Sequence, residues 1–134
     1  MASASLELQG AIVMALKSSP VVTALVDQKI YDMAPADAQT PYVVMGDFDE
    51  HRTDATCLKA RRIYATLHVW SAAAGFMEVR QVAEAVAETL HHAPLVLTSN
   101  RLVSLDHSKT RVMRDLDGIH SHAVIELVAY TEKA

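Results

Sequence analysis

Seven histidines are the richest source of potential chemistry in this chain. His120 and His122 stand two apart, a spacing that projects both side chains from one face of an extended strand. His68 lies in a stretch of the same alternating kind and could share that face. Imidazoles gathered on a sheet suit zinc, so a small metal-binding domain is one reading. No cysteine pair, HExxH run or acidic ligand at metal spacing accompanies them. Exposed strand histidines are the plainer reading, and neither metal nor cofactor is expected. Cys57, the one cysteine, could act as a nucleophile only beside an oriented base such as His51 or His68, and it sits in a polar stretch that fixes none. Asp47, Asp49, Glu50 and Asp54 could do acid–base work only in a shielded pocket that separates their pKa values. On a loop they would keep an edge soluble or meet a basic partner. Asp115 and Asp117-Gly118 lack the closing Glu of a calcium loop and read as a turn. Glycines at 10, 46, 75 and 118 are too scattered for a phosphate loop, and there is no GxSxG. The residues therefore describe a protein that is not an enzyme.

The elements that would position these groups follow from periodicity. Leu8, Ile12, Ala15 and Leu16 recur at helical spacing, predicting an amphipathic helix from about Leu6 to Ser18. Ser19-Pro20 stops it and starts a short second helix, with Ser19 as N-cap and Val22, Leu25 and Val26 buried. Ile30-Tyr31 reads as a short strand, Asp32 to Pro41 as a loop, and Tyr42 to Phe48 as a strand. Asp49 to Ala60 is polar and charged and reads as a long loop.

Arg61 to Ser71 alternates, with Ile63, Ala65, Leu67 and Val69 facing one way and Arg62, Tyr64, Thr66, His68 and Trp70 the other. Phe76, Val79, Val82, Ala83, Val86 and Leu90 form the stripe of the strongest helix, which His91, His92 and Pro94 end. Leu95 to Leu97 suggests a short strand before a Thr98-Ser99-Asn100 turn, and Arg101 to about Arg114 reads as extended. Asp115 to Gly118 then forms a turn, and Ile119 to Thr131 is the last strand. This order predicts one α+β domain over residues 1–134: a mainly antiparallel sheet with two principal helices on one face.

The chain has 51% hydrophobic and 21% charged residues, as expected of a globular domain rather than a disordered one. A net charge of −4 without a dense basic run argues against a dedicated nucleic-acid binder. No apolar stretch approaches ~20 residues, and Met1 to Ser5 lacks the basic start of a signal peptide, so neither a membrane span nor a leader is expected. The uncovered sheet face would carry Tyr64, Trp70, Val124, Val128 and Tyr130, apolar and aromatic enough for a subunit interface. With Arg62 and the charged residues Asp49, Glu50, His51 and Arg52, these are the candidate contacts.

Several segments in a fixed order carry a resemblance. They are KIYDMAP (Lys29 to Pro35), PYVVMGD (Pro41 to Asp47), TLHVWS within Arg62 to Ser71, Gly75 with the Glu78 helix, HHAPLVL (His91 to Leu97) and RDLDGIHSHAVIEL (Arg114 to Leu127). Together they resemble the tail-completion, or tail-terminator, proteins of siphophages and gene-transfer agents over nearly the whole chain. The resemblance implies a structural virion subunit of the tail or neck, assembled in the cytoplasm. Such a subunit caps the head-proximal end of the tail tube as a ring, usually hexameric, stops tube growth and joins the tail to the head. The implied partners are further copies of the chain, the tail tube protein and the head–tail connector or stopper protein, with DNA passing through the lumen without specific binding. A head-completion or stopper subunit of the neck is the nearest alternative. No catalytic residue transfers from the family.

Overall fold

Leu8, Ile12 and Leu16 fall one above another on the first helix, and α1 (Ala4–Lys17) buries all three together with Ala4. The computed structural model describes residues 3–134. Met1 and Ala2, the first two positions of the leader reading, lie outside the described residues. Ser3 caps α1 by accepting the Leu6 N–H at 3.0 Å. Helix α2 (Pro20–Val26) opens as its sequence dictates, with Ser19 as cap and proline in the first turn. It buries Val22 and Val26, whereas Leu25 is 37% exposed, contrary to expectation. In a helix of seven residues the i, i+4 pair claims the core side, and Leu25 turns outward with Val21.

Strand β1 (Ile30–Tyr31) pairs in parallel with β2 (Tyr42–Arg52). β3 (Ala60–Ser71), β4 (Asn100–Arg114) and β5 (Ser121–Lys133) complete a sheet of order β1-β2-β3-β5-β4, antiparallel beyond the first pair. Helix α3 (Met77–Leu90) connects β3 to β4 and packs with α1 and α2 on one face. Between β3 and β5 the core rows match large against small, Ile63 opposite Ala129, Ala65 opposite Leu127 and Val69 opposite Ala123, with Leu67 opposite Ile125 at the centre. The alanines give the helices room to approach, and each buried Leu or Ile adds about 1.5–3 kcal/mol of apolar transfer. Among the described residues, no single helix is long and apolar enough to cross a membrane.

Two sequence expectations are corrected here. Residues 49–52 are strand, not loop: β2 runs on to Arg52, pairs with Arg61 to Tyr64, and leaves only residues 53–59 as the connection. The charged run holds strand geometry because its charges are neutralised across the ladder. Arg61 meets Glu50 at 3.3 Å and Asp54 at 3.0 Å, and Asp54 also accepts the Ala60 N–H at 2.9 Å. That N–H, ahead of the Arg61 charge, holds the Asp54 carboxyl below the usual range. Residues 95–97 form no strand. The β4 edge they would have joined is met instead by the His92 N–H, which donates to the Leu105 carbonyl at 2.8 Å, and by the His91 Nδ1, which accepts from the His107 N–H at 3.0 Å.

Glu7, legible in sequence only as an acid off the apolar stripe, fastens α1 to the start of β4. Its carboxylate accepts the backbone N–H groups of Ser99 and Asn100 and the Asn100 Nδ2 at 2.9–3.1 Å. The Asn100 side chain foremost, with these backbone groups, lowers the Glu7 pKa. The core predicts that Ile12→Ala, which removes a fully buried side chain between α1 and the sheet, costs about 2–5 kcal/mol in chemical denaturation. An unchanged m-value is expected to accompany it.

Candidate functional site

The helices cover only one side of the sheet, so the alternate side chains of β2, β3 and β5 form a broad uncovered face. Register settles which candidates stand on it. Asp49 is opposite Tyr64 and His51 opposite Arg62; further across, Arg62 is opposite Tyr130, His68 opposite Val124 and Trp70 opposite His122. Asp49, His51, Arg62, Tyr64, Trp70, Val124 and Tyr130 are therefore brought together, with Val128. Glu50 and Arg52 are not. The shift in pairing between Met45 and Phe48 keeps Phe48 on the helix side, and Glu50 and Arg52 follow it there by alternation. Glu50 accepts the Ser5 N–H at the start of α1 at 3.0 Å, which removes it from the candidate interface.

The uncovered side chains bury one another sideways. The Arg62 guanidinium lies 4.8 Å from the centre of the Tyr130 ring and donates to its hydroxyl. His51 meets Tyr64 edge-on at 5.4 Å, and Tyr64 remains 42% exposed. Trp70 stacks on His122 with centroids 4.0 Å apart and planes within 9°. His122 Nε2 in turn lies 2.6 Å from His68 Nδ1, a hydrogen bond in which one ring donates and the other accepts. Sequence reasoning missed the residue beneath them. A Cβ on Gly46 would sit 2.5 Å from His68 Nε2 and 2.8 Å from the Thr66 carbonyl, so glycine is what lets the His68 ring lie over β2. An isolated glycine inside an apolar strand was the available signal.

The three-histidine metal reading does not assemble. His120 precedes β5 and bonds Asp117, with Nδ1 2.6 Å from Oδ2, instead of joining His68 and His122. Hydrogen bonds from the backbone and side chain of His120, and from the Ile119 N–H, pull the Asp117 carboxyl down to about 2. Asp115 to Gly118 is the expected turn, with Gly118 at φ 72°. Among the described residues, His91, His92 and Asp106 bring ligand atoms within 4.8 Å of one another. His91 accepts the His107 N–H on Nδ1, which places the neutral ring's proton on Nε2, the atom a metal would need. That trio clips the sheet edge. Cys57 is exposed on residues 53–59 and bonds neither His51 nor His68.

What this arrangement offers is contact chemistry, a large aromatic and charged surface on a rigid sheet. It defines an α+β domain with one face of its sheet bare. The family model described as tail completion protein gp17 matches residues 10–132, and the chain belongs to that family. It is similar to the tail completion protein gp17 of Bacillus phage SPP1, 27% identical over 124 residues that cover 92% of this chain and 91% of the relative. A chain in the virion of a native gene transfer agent particle superposes with a TM-score of 0.91 at 26% identity, over 98% of this chain and 99% of that one. The solved bacteriophage SPP1 gp17 protein gives 0.63 at 26% identity, over 94% and 89%. The α+β architecture read from the sequence is shared with that protein.

Burial, before any neighbouring charge, pushes the pKa of both His68 and His122 below the usual imidazole value; Asp47 opposes this for His68, while His68 reinforces it for His122. A folded pKa below the unfolded one means that the unfolded chain binds more protons in the window between them. Stability is therefore expected to fall as pH drops below about 6.5. His122→Gln should flatten that part of the profile in thermal melts. Gly46→Ala, which forces His68 off β2, is expected to cost about 1–3 kcal/mol.

Proposed function

We propose that this chain is a structural subunit of a phage or gene-transfer-agent virion that closes into a ring, hexameric by family resemblance, on the head-proximal end of the tail tube. There it ends tube polymerisation and presents the surface that joins the head connector or stopper. The observation that carries this reading is the near-complete superposition, at a TM-score of 0.91, on a chain from a gene transfer agent virion. A heterologous contact that closes requires two different surfaces on each copy. The uncovered face around Tyr64, Trp70, Val124 and Tyr130 supplies one, where aromatic groups and Arg62 have the composition of an interface core. The hairpin of β2 and β3, with Asp49 and His51 on the same side, extends that surface towards the sheet's end. The net charge of −4 suits a passage that DNA must traverse without being held.

Removing the protein and imaging particles by electron microscopy tests the assignment. Normal heads beside unjoined tails of uncontrolled length are expected. Tails of normal length that merely fail to join would move the subunit to the stopper position, and intact joined particles would overturn the structural role. For the interface, Tyr64→Asp is expected to leave the isolated subunit folded by circular dichroism while reducing its incorporation into particles at least about tenfold, as for a buried aromatic anchor.

A further inference from the structure

The register of the sheet gathers four cations at one corner of the helix side. Arg52 is opposite Arg61, and Arg61 is opposite Thr131, so these three share a face. Lys59 and Lys133 come two residues away along the same alternation, and the Lys133 N–H donates to the Lys59 carbonyl at 2.9 Å. With Ala4, Glu50 and Asn100 the five residues line a cavity of about 270 Å³ beside the start of α1. Like charges placed opposite one another across strands destabilise a sheet unless something neutralises them.

The acids at hand neutralise half of this set. Glu50 and Asp54 hold Arg61, and Asp54 also meets Arg52 at 3.5 Å. Four basic groups meet two carboxylates in contact, and both carboxylates are taken by the arginines. Of the other nearby acids, Glu132 pairs with Arg101, and the Glu7 carboxylate, still charged, faces the amides of Ser99 and Asn100 and contacts neither lysine. Lys59 and Lys133 have no carboxylate partner among the described residues. A second observation is independent of charge. Thr131 lines the same cavity, is 1% exposed, and its hydroxyl has no hydrogen-bond partner. A buried hydroxyl left unpaired bears its full desolvation cost, so its presence favours a ligand that accepts from it.

We propose that this corner is a phosphate-binding site. A phosphate group carries the negative charge that Lys59 and Lys133 lack in contact. Its oxygens can accept at once from the two lysine ammoniums, from the outer edge of the Arg52 guanidinium and from the Thr131 hydroxyl. The cavity lies just under the range of roughly 300–1,000 Å³ typical of organic-ligand pockets, which favours a phosphate group over a whole nucleotide. The group can come from free inorganic phosphate or from the backbone of a polynucleotide strand. The site lies on the helix side of the sheet, away from the uncovered face, and does not rest on the ring reading.

The test is a titration of inorganic phosphate at constant ionic strength, followed by phosphorus NMR. It compares the unmodified chain, K59Q/K133Q and T131V, with a parallel titration of a short DNA duplex followed by fluorescence anisotropy. Saturable phosphate binding is expected, weakened at least about tenfold in K59Q/K133Q, as charged hydrogen bonds are lost, and several-fold in T131V. Thermal melts confirm that the variants fold, and T131V separates ligation from packing, since a purely structural hydroxyl would change melting and leave phosphate affinity unmoved. Duplex binding lost in the same variants identifies a polynucleotide as the source; phosphate binding without duplex binding identifies the free ion. Binding of neither probe, or phosphate binding undiminished in K59Q/K133Q, overturns the site.

Discussion

The unbroken pairing of β3 with β5, from Ala60 opposite Glu132 to Ser71 opposite Ser121, is the constraint on which everything else is built. It runs through twelve residues without a bulge, so alternation is preserved from one end to the other. One set of side chains becomes the helix-covered core, and the other becomes the bare face. A slip of β5 by one residue would exchange its two faces, burying Glu126 beneath α3 and exposing Ile125 and Leu127. The cost of that exchange makes the register stiff, and stiffness gives the aromatic groups of the bare face fixed positions relative to one another. The same alternation brings Arg52, Arg61 and Thr131 to the helix side.

Elements whose signal is local were legible in the sequence. The Ser19-Pro20 break, the alternation of β3 and β5 and the apolar stripe of α3 each depend on neighbours within a few residues. What could not be read depends on partners far along the chain. Residues 49–52 look like loop because they are charged, yet they are strand because Arg61 to Tyr64 lies opposite to pair with them. Leu95 to Leu97 looks like strand because it is apolar, yet the β4 edge is already taken by His91 and His92. The faces of Glu50 and Arg52 are set by one extra residue near Gly46, which no pattern count reveals. The histidines illustrate the same limit: spacing grouped His120 with His122, whereas local bonding to Asp117 and stacking on Trp70 separate them.

Most of the candidate interface was nonetheless readable, because a half-covered sheet announces itself by aromatic groups where solvent-facing residues are expected. Tyr64, Trp70, Val124 and Tyr130 are on one surface for the same reason that Ile63, Val69, Ala123 and Ala129 are in the core. The histidine pair adds something that spacing alone could not convey. His68 and His122 are held by one hydrogen bond, over a glycine that leaves space for a ring. The bare face is thus organised in the chain by itself, so that any association through it would meet a lower ordering entropy.

The clip at the end of α3 bears on a different hazard. A strand at the border of a sheet offers unpaired amides and carbonyls to any extended chain that reaches it. Here His92 turns into the left-handed region, at φ 61°, to donate to Leu105, and the His91 ring stands where a neighbouring carbonyl would be. Two pairing shifts and the charges of Arg101, Lys109 and Arg111 roughen the rest of the border. A chain at high concentration is thereby protected from growing sideways into ribbons. The contacts left open to it are those between side chains, where fit can distinguish one surface from another.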